Sequence, residues 1–140
     1  MASGATAKTA YDFVDFPTLG KKFHLIDPFD AGADGGRISA NYYTDPHYVL
    51  AQYPPGAPIV LHRERIPLRL PRPLAFVMTD TGNAEAAAVA MTDFYAALSP
   101  GGIIICDEFN RDAGRFQKVF ATLGIAPFWL PSGQCVVFKG

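Results

Sequence analysis

Apolar residues recur at helical spacing in four parts of the chain. This spacing predicts a helix over residues 5–16, a weaker helix over 43–53, and the best-specified helix over 84–98, which has Asn83 as a candidate N-cap. A further helix over 116–123 is closed by Gly124. These segments alternate with shorter apolar runs, so helices and strands are expected in turn.

Four short apolar runs predict strands, and two more near the carboxyl terminus predict a hairpin. Near-continuous apolarity, as in LAFVMT and IIIC, is typical of parallel strands buried on both faces. A Pro-Ser-Gly turn between the last two runs predicts an antiparallel pair. The predicted strands are Lys22–Asp27, Pro58–Leu61, Leu74–Asp80 and Ile103–Asp107, and the hairpin is Ile125–Leu130 with Gln134–Lys139.

This order of elements predicts an α/β fold with a Rossmann-like, doubly wound and mostly parallel sheet, which ends in the antiparallel hairpin. Ligand sites in such folds lie outside the carboxyl ends of the strands. The Gly- and Asp-rich stretch that includes Asp30 to Ser39 cannot bury a core face, and predicts a mobile loop over one edge. A chain of 140 residues is expected to form one domain, 1–140.

Composition narrows the classes of function. A net charge of −1 offers no basic surface for nucleic acid. The amino terminus lacks the apolar core of a signal peptide, and no apolar run approaches the roughly 20 residues of a membrane helix, so a cytoplasmic protein without membrane contact is expected. Cys106 and Cys135, each inside an apolar run, are expected to be small buried hydrophobic residues.

Acidic residues end three of the predicted strands: Asp27, Asp80 and the pair Asp107-Glu108. Because strand ends share one rim in an open α/β sheet, these carboxylates would repel one another or bind a hard cation such as Mg²⁺, Ca²⁺ or Mn²⁺. Asp27 stands where a dinucleotide-type fold places an acid that accepts hydrogen bonds from ribose. Alternatively, Asp80 and Asp107 cap the following turns.

Other polar residues have structural interpretations. Glu85 in the first turn of a helix favours the helix dipole. His62 with Arg63 and Arg65 could meet an acidic ligand group, but exposed basic residues in a proline-rich loop are usually solvated surface. His24 and His47 are expected to be structural.

The run LAFVMTDTGNAEAAAVAMTDFYAALSPGGIIICDEFN resembles the macrocin O-methyltransferase family, magnesium-dependent class I methyltransferases that act on sugar hydroxyls of natural products. The resemblance rests on the acid-ended strand AFVMTD, the pair Phe94-Tyr95 before the turn SPGG, and the acidic pair Asp107-Glu108. It extends more weakly to KKFHLIDPF and IPLRLP, and so covers most of the chain.

The resemblance implies roles for individual residues. Asp80, Asp107 and Glu108 match the metal ligands, with Glu108 in place of the usual second Asp. Glu85 falls where an acid can take the proton of the substrate hydroxyl, and Asp80 is a second candidate for this role. Asp27 matches the ribose-binding acid. Gly4 and Thr6 stand at the end of the glycine-rich turn that holds S-adenosylmethionine.

Two departures from the family pattern stand out. Gly82, Asn83 and Ala84 occupy the positions of a second acid and a following aromatic residue. The central first strand and most of the glycine-rich turn are missing, which would leave two strand edges unpaired. Either the strands ending at Asp27 and Asp80 pair directly, or another chain supplies a strand, or the sequence begins inside a longer protein. We favour the last interpretation.

These inferences predict a metal-assisted, S-adenosylmethionine-dependent O-methyltransferase that acts on a hydroxyl of a small molecule, a sugar or another natural product. The alternative is a degenerate, non-catalytic methyltransferase-like module that binds a ligand or partner. We give little weight to the hypothesis of a nicotinamide-binding domain, because no complete G-x-G-x-x-G turn occurs. An unpaired sheet edge would favour a homo-oligomer.

Overall fold

The chain divides into two compact units, Met1–Arg65 and Ile66–Gly140. The structure, a computed structural model, describes residues 4–29 and 45–140. Both units contain helices and parallel strands, so the predicted α/β class with a mixed, open strand arrangement is confirmed. The predicted loop Asp30 to Ser39 and the first residues of the helix predicted over 43–53 lie outside the described residues. The single methyltransferase-like domain stays a prediction.

Unit 1 is built around a pair of parallel strands. Its core contains the buried residues Tyr11, Leu25, Phe29, Val49 and Tyr53. Its first helix ends before residue 16, the predicted limit, because Asp15 takes a left-handed φ of 46° and a 3-10 helix with Pro17 in its first turn follows. The elements are α1 (Ala5–Phe13), the 3-10 helix (Phe16–Leu19), β1 (Phe23–Ile26), α2 (Pro46–Leu50) and β2 (Ile59–His62).

Unit 2 contains one four-stranded sheet and two α-helices. The elements are β3 (Leu74–Thr79), α3 (Ala84–Ala97), β4 (Leu98–Cys106), a 3-10 helix (Phe109–Arg111), α4 (Ala113–Leu123), β5 (Phe128–Trp129) and β6 (Cys135–Phe138). The order of the strands in the sheet is β3-β4-β6-β5. Strands β3 and β4 are parallel, whereas β6 is antiparallel to both β4 and β5, so the predicted carboxyl-terminal hairpin is confirmed.

Helices α3 and α4 cover one face of this sheet. The predicted N-cap of α3 is confirmed, since Oδ1 of Asn83 accepts a hydrogen bond from the backbone N–H of Ala86 at 3.0 Å. Fully buried Met91 and Phe116 pack in the same cluster as Ile104 of β4. Because alternate residues of a strand face opposite sides, Asp107 and Ile105 belong to the face opposite Ile104.

The two cysteines confirm the expectation of small buried residues. Cys106 and Cys135 are free, fully buried and directly opposite each other in the β4–β6 register. A hydrogen bond with Cys135 and burial both raise the pKa of the Cys106 thiol, so it stays protonated. These thiols therefore belong to the core.

Strand β4 begins at Leu98, five residues before the predicted start. The Ser99–Gly102 segment, predicted to form a turn, belongs to this strand but bulges from the β3–β4 pairing, because its four residues stand opposite Ala75 alone and Gly101 has a left-handed φ of 76°. Gly101 donates its N–H to the carbonyl of Lys139, and Lys139 donates to the carbonyl of Gly102, both at 2.9 Å. A Cβ at Gly102 would lie 2.9 Å from the Ser99 carbonyl oxygen, so glycine permits this close approach.

The strands that end at Asp27 and Asp80 each pair with a strand of their own unit. Within unit 1, β1 pairs with β2, and within unit 2, β3 pairs with β4. Direct pairing of the strands that end at Asp27 and Asp80 stays a prediction. A strand supplied by another chain, or by a longer form of this one, stays a prediction. In the described part of the chain, no helix is both long and apolar enough to cross a membrane.

Candidate functional site

Asp80 and Asp107 lie at the carboxyl ends of two neighbouring parallel strands. The register pairs Thr79 of β3 with Cys106 of β4, and the backbone N–H of Asp107 donates to the Thr79 carbonyl at 3.0 Å. The next residues along each strand, Asp80 and Asp107, therefore stand side by side on the same face. The predicted meeting of these two acids at one rim is confirmed.

Gln134 extends this pair into a row of three polar residues. Its side-chain Nε2 donates to Oδ1 of Asp107 at 2.6 Å. Antiparallel pairing of Cys106 with Cys135 brings Gln134 opposite Asp107. Sequence reasoning missed Gln134, whose only signal was its position as the polar residue that opens the last apolar run.

The Asp80 carboxyl is influenced by the neighbouring acids. Although Asp80 is exposed at the rim, partial desolvation by the surrounding protein raises its pKa, and the negative charges of Asp107 and Glu108 raise it further. The positive charge of Arg111 opposes this effect. The Asp80 carboxylate therefore binds a proton or a cation more readily than an ordinary aspartate does.

Glu108 differs from the two aspartates because its side chain is buried. It is 1% exposed, and its carboxylate accepts hydrogen bonds from the Thr81 backbone N–H and, at 3.0 Å, from the Thr79 hydroxyl. The Cys106 thiol lies 3.7 Å from the same oxygen that Thr79 contacts. Glu108 thus binds together the ends of β3 and β4.

The predicted metal set of Asp80, Asp107 and Glu108 stays a prediction, and Glu108 makes other contacts in this structure. Within residues 4–29 and 45–140, no group of three or more His, Cys, Asp or Glu side chains is placed to hold a metal ion. The physical reason for these contacts is that buried Thr79 and the Thr81 N–H require an acceptor, and Glu108 supplies it. Asp80 and Asp107 remain as a pair.

Gly82 follows Asp80 in a turn that requires glycine. Its φ is 72°, and a Cβ at this position would lie 3.8 Å from Nη1 of Arg111. The family pattern has a second acid in this region, whereas here the guanidinium of Arg111 comes close. Arg111, which sequence reasoning did not single out, thus supplies positive charge near Asp80.

Glu85 lies in the first turn of α3 and faces α4. Its side chain is 70% exposed, and Oε1 lies 3.3 Å from Nη1 of Arg115. Arg115 also contacts Asp112 through Nε at 2.9 Å. Glu85 therefore shares a surface cation with Asp112, and its role as a base stays a prediction.

The predicted cofactor residues lie in unit 1. Gly4 is buried before α1 with a φ of 77°, and a Cβ there would lie 3.1 Å from Cγ1 of Val49, so packing alone gives a reason for glycine. Thr6 is exposed in α1. Asp27 follows β1, and its Oδ1 accepts a hydrogen bond from the Phe29 N–H at 2.7 Å. Binding of a cofactor by these residues stays a prediction.

We expect Glu108→Ala to destabilise unit 2 strongly. The substitution leaves the Thr79 hydroxyl and the Thr81 N–H without their acceptor, which should lower the free energy of unfolding by about 2–4 kcal/mol. Urea unfolding followed by the fluorescence of Trp129, the single tryptophan, measures the loss. Glu85→Ala, at an exposed ion pair, should cost less than about 1 kcal/mol. Equal losses in the two variants would contradict the internal role of Glu108.

We expect Asp80→Asn to stabilise unit 2 at neutral pH. Because the pKa of Asp80 is raised on folding, the folded state binds this proton more tightly than the unfolded chain, and ionisation favours unfolding. Removing the charge should raise the free energy of unfolding by about 0.5 kcal/mol, a small gain because the carboxyl is partly screened by solvent. The gain should disappear as the pH falls below the ordinary aspartate pKa of 3.8.

The control for this measurement is Asp93→Asn, at an exposed position of α3. Urea unfolding of both variants over the same pH series separates an effect of the acid pair from a general effect of net charge. A stabilisation of the same size in the control would contradict repulsion at the rim.

Comparison with known proteins identifies no family for this chain. No family model matches the chain, and no curated protein matches it. The function is therefore inferred from the residues of the site and from the resemblance of its motifs.

Proposed function

We propose that the chain carries the acceptor-binding edge of an S-adenosylmethionine-dependent O-methyltransferase that acts on a hydroxyl of a small molecule, a sugar or another natural product. The observation that carries this proposal is the pairing of Asp80 and Asp107 at the ends of adjacent parallel strands. Two carboxylates held together in this way suit a hard cation and a hydroxyl substrate.

The order of elements supports the same proposal. A parallel strand, a helix and a second parallel strand precede a terminal antiparallel hairpin in unit 2, in agreement with the motifs that resemble macrocin O-methyltransferases. The acids follow the strands at the edge where open α/β sheets bind ligands. The Rossmann-like fold as a whole belongs to this proposal.

Asp80 and Asp107 fit a divalent metal ion, whereas the Glu108 carboxylate already accepts hydrogen bonds from Thr79 and Thr81. Mg²⁺ is commonly held by one or two carboxylates and keeps several water molecules, so two aspartates are enough. The raised pKa of Asp80 is the expected sign of a carboxylate pair that gains from a neighbouring cation. When bound, the metal would polarise the acceptor hydroxyl and lower its pKa.

The side chains around the pair have separate tasks in the proposed reaction. Gln134 fixes one oxygen of Asp107 by its hydrogen bond of 2.6 Å, so the remaining carboxylate oxygen keeps a defined direction. Asp80 is a stronger candidate than Glu85 for accepting the hydroxyl proton, because its pKa is raised and Glu85 already pairs with Arg115.

Residues of unit 1 would bind the cofactor, which supplies the methyl group from its sulfonium. The Asp27 carboxylate would accept hydrogen bonds from the ribose hydroxyls, and its contact with the Phe29 N–H orients it for this task. Gly4 and Thr6 at the start of α1 would lie along the cofactor's amino-acid portion.

A second candidate is a non-catalytic module that keeps the fold and binds a ligand or a partner. It is favoured by the burial of Glu108 and by Gly82, since both remove acids that the family pattern has near the metal. Cofactor binding separates the two candidates, because a module without a methyl donor cannot transfer a methyl group.

We expect the folded chain to bind S-adenosylhomocysteine, the product form of the cofactor, with a saturable heat in titration calorimetry. Asp27→Asn should weaken binding by about tenfold, because it removes a charged acceptor of ribose hydrogen bonds. Asp12→Asn, which removes the exposed partner of Lys8 in the same unit, should leave the affinity unchanged. Absence of binding by folded wild-type protein would contradict the enzyme and favour the second candidate.

A further inference from the structure

Two histidines meet on neighbouring strands of unit 1. The parallel register pairs His24 with Val60 and Ile26 with His62, so the two histidines stand diagonally on one face of the strand pair. Nδ1 of His24 lies 2.8 Å from Nε2 of His62, and the rings stack at 5.2 Å with 25° between their planes. Strand pairing therefore brings two ring nitrogens together.

This face is separate from the aromatic core of the unit. Leu25, between His24 and Ile26, is buried in the core cluster, so alternation directs His24 to the opposite side. Partial burial lowers the pKa of His24, and the positive charges of His62 and Lys22 lower it further. This direction favours the neutral imidazole, which is the form that binds metals.

We propose that His24 and His62 form a bidentate site for a divalent transition-metal ion with tetragonal coordination, such as Ni²⁺ or Cu²⁺. Small rotations of the two rings would replace their mutual hydrogen bond with two bonds to one ion. Each neutral ring then carries its proton on the nitrogen that faces away from the ion.

The separation of the two nitrogens before any rotation of the rings is closer to that of a tetragonal site than to that of a tetrahedral one. With metal–nitrogen bonds of about 2.0–2.1 Å, nitrogens 2.8 Å apart subtend about 86° at the ion. This angle is close to the 90° of a square-planar or tetragonal site, whereas tetrahedral coordination would require nitrogens about 3.3 Å apart. Zn²⁺ in a tetrahedral site is therefore the poorer fit.

Water would complete the coordination. The part of the chain that the structure describes holds no group of three or more His, Cys, Asp or Glu side chains placed for a metal ion, so these described residues contribute two ligands. Both come from paired strands, whose register fixes the distance between the histidine backbones before any ion binds. The site is independent of the methyltransferase proposal, because hard carboxylates and imidazoles select different metals.

The chain is well suited to a test, because it has three histidines and only two of them form the pair. His47, in α2, serves as the matched control. Metal-free wild-type protein and the variants His24→Gln, His62→Gln and His47→Gln are titrated with Ni²⁺ by calorimetry, and circular dichroism checks the fold of each. Electron paramagnetic resonance of the Cu²⁺ complexes counts the nitrogen ligands.

We expect wild-type protein and His47→Gln to bind one ion with the same affinity. His24→Gln and His62→Gln should each weaken binding by about tenfold or more, because each removes one arm of the chelate. The Cu²⁺ spectrum should change from two imidazole nitrogens to one in these variants. The proposal is overturned if folded wild-type protein binds no ion, or if either variant of the pair binds as tightly as His47→Gln.

Discussion

The buried carboxylate of Glu108 ties together the ends of β3 and β4. It accepts hydrogen bonds from the Thr79 hydroxyl and the Thr81 N–H, two donors that lie on either side of Asp80 in the chain. The turn after β3 is thereby fixed, and Asp80 is left at the accessible rim next to Asp107. A single internal acid thus holds the two acids of the candidate site in their positions.

The acidic residues at the ends of β3 and β4 therefore differ in their contacts. Partial burial of the Asp80 carboxyl costs free energy, the negative charges of the neighbouring acids add to that cost, and both raise the pKa of Asp80. Gln134 and Arg111 offset part of it, one through a hydrogen bond to Asp107 and the other through its charge. A cation bound between Asp80 and Asp107 would offset more, which is why we propose this pair for binding metal and substrate.

The sequence predicted the α/β class, the helices and the acids at the strand ends, because these follow from local periodicity and chain order. It did not predict that Glu108 is buried while Asp107 lies at the rim, because neighbouring residues leave a strand end in opposite directions. Gln134 and the contact of His24 with His62 depend on strand register, which apolar runs do not specify. Glycines 101 and 102 locally favour a turn, and the bulge that they form in β4 depends on hydrogen bonds with Lys139, which is distant in the chain.

Crystals of the full chain grown with Mn²⁺ would test the separate roles of these acids most directly, since anomalous scattering locates the ion. We expect a peak that touches the carboxylates of Asp80 and Asp107, while Glu108 keeps its hydrogen bonds to Thr79 and Thr81. An ion bound by Glu108, or a fully loaded crystal with no peak beside Asp80 and Asp107, would contradict these roles.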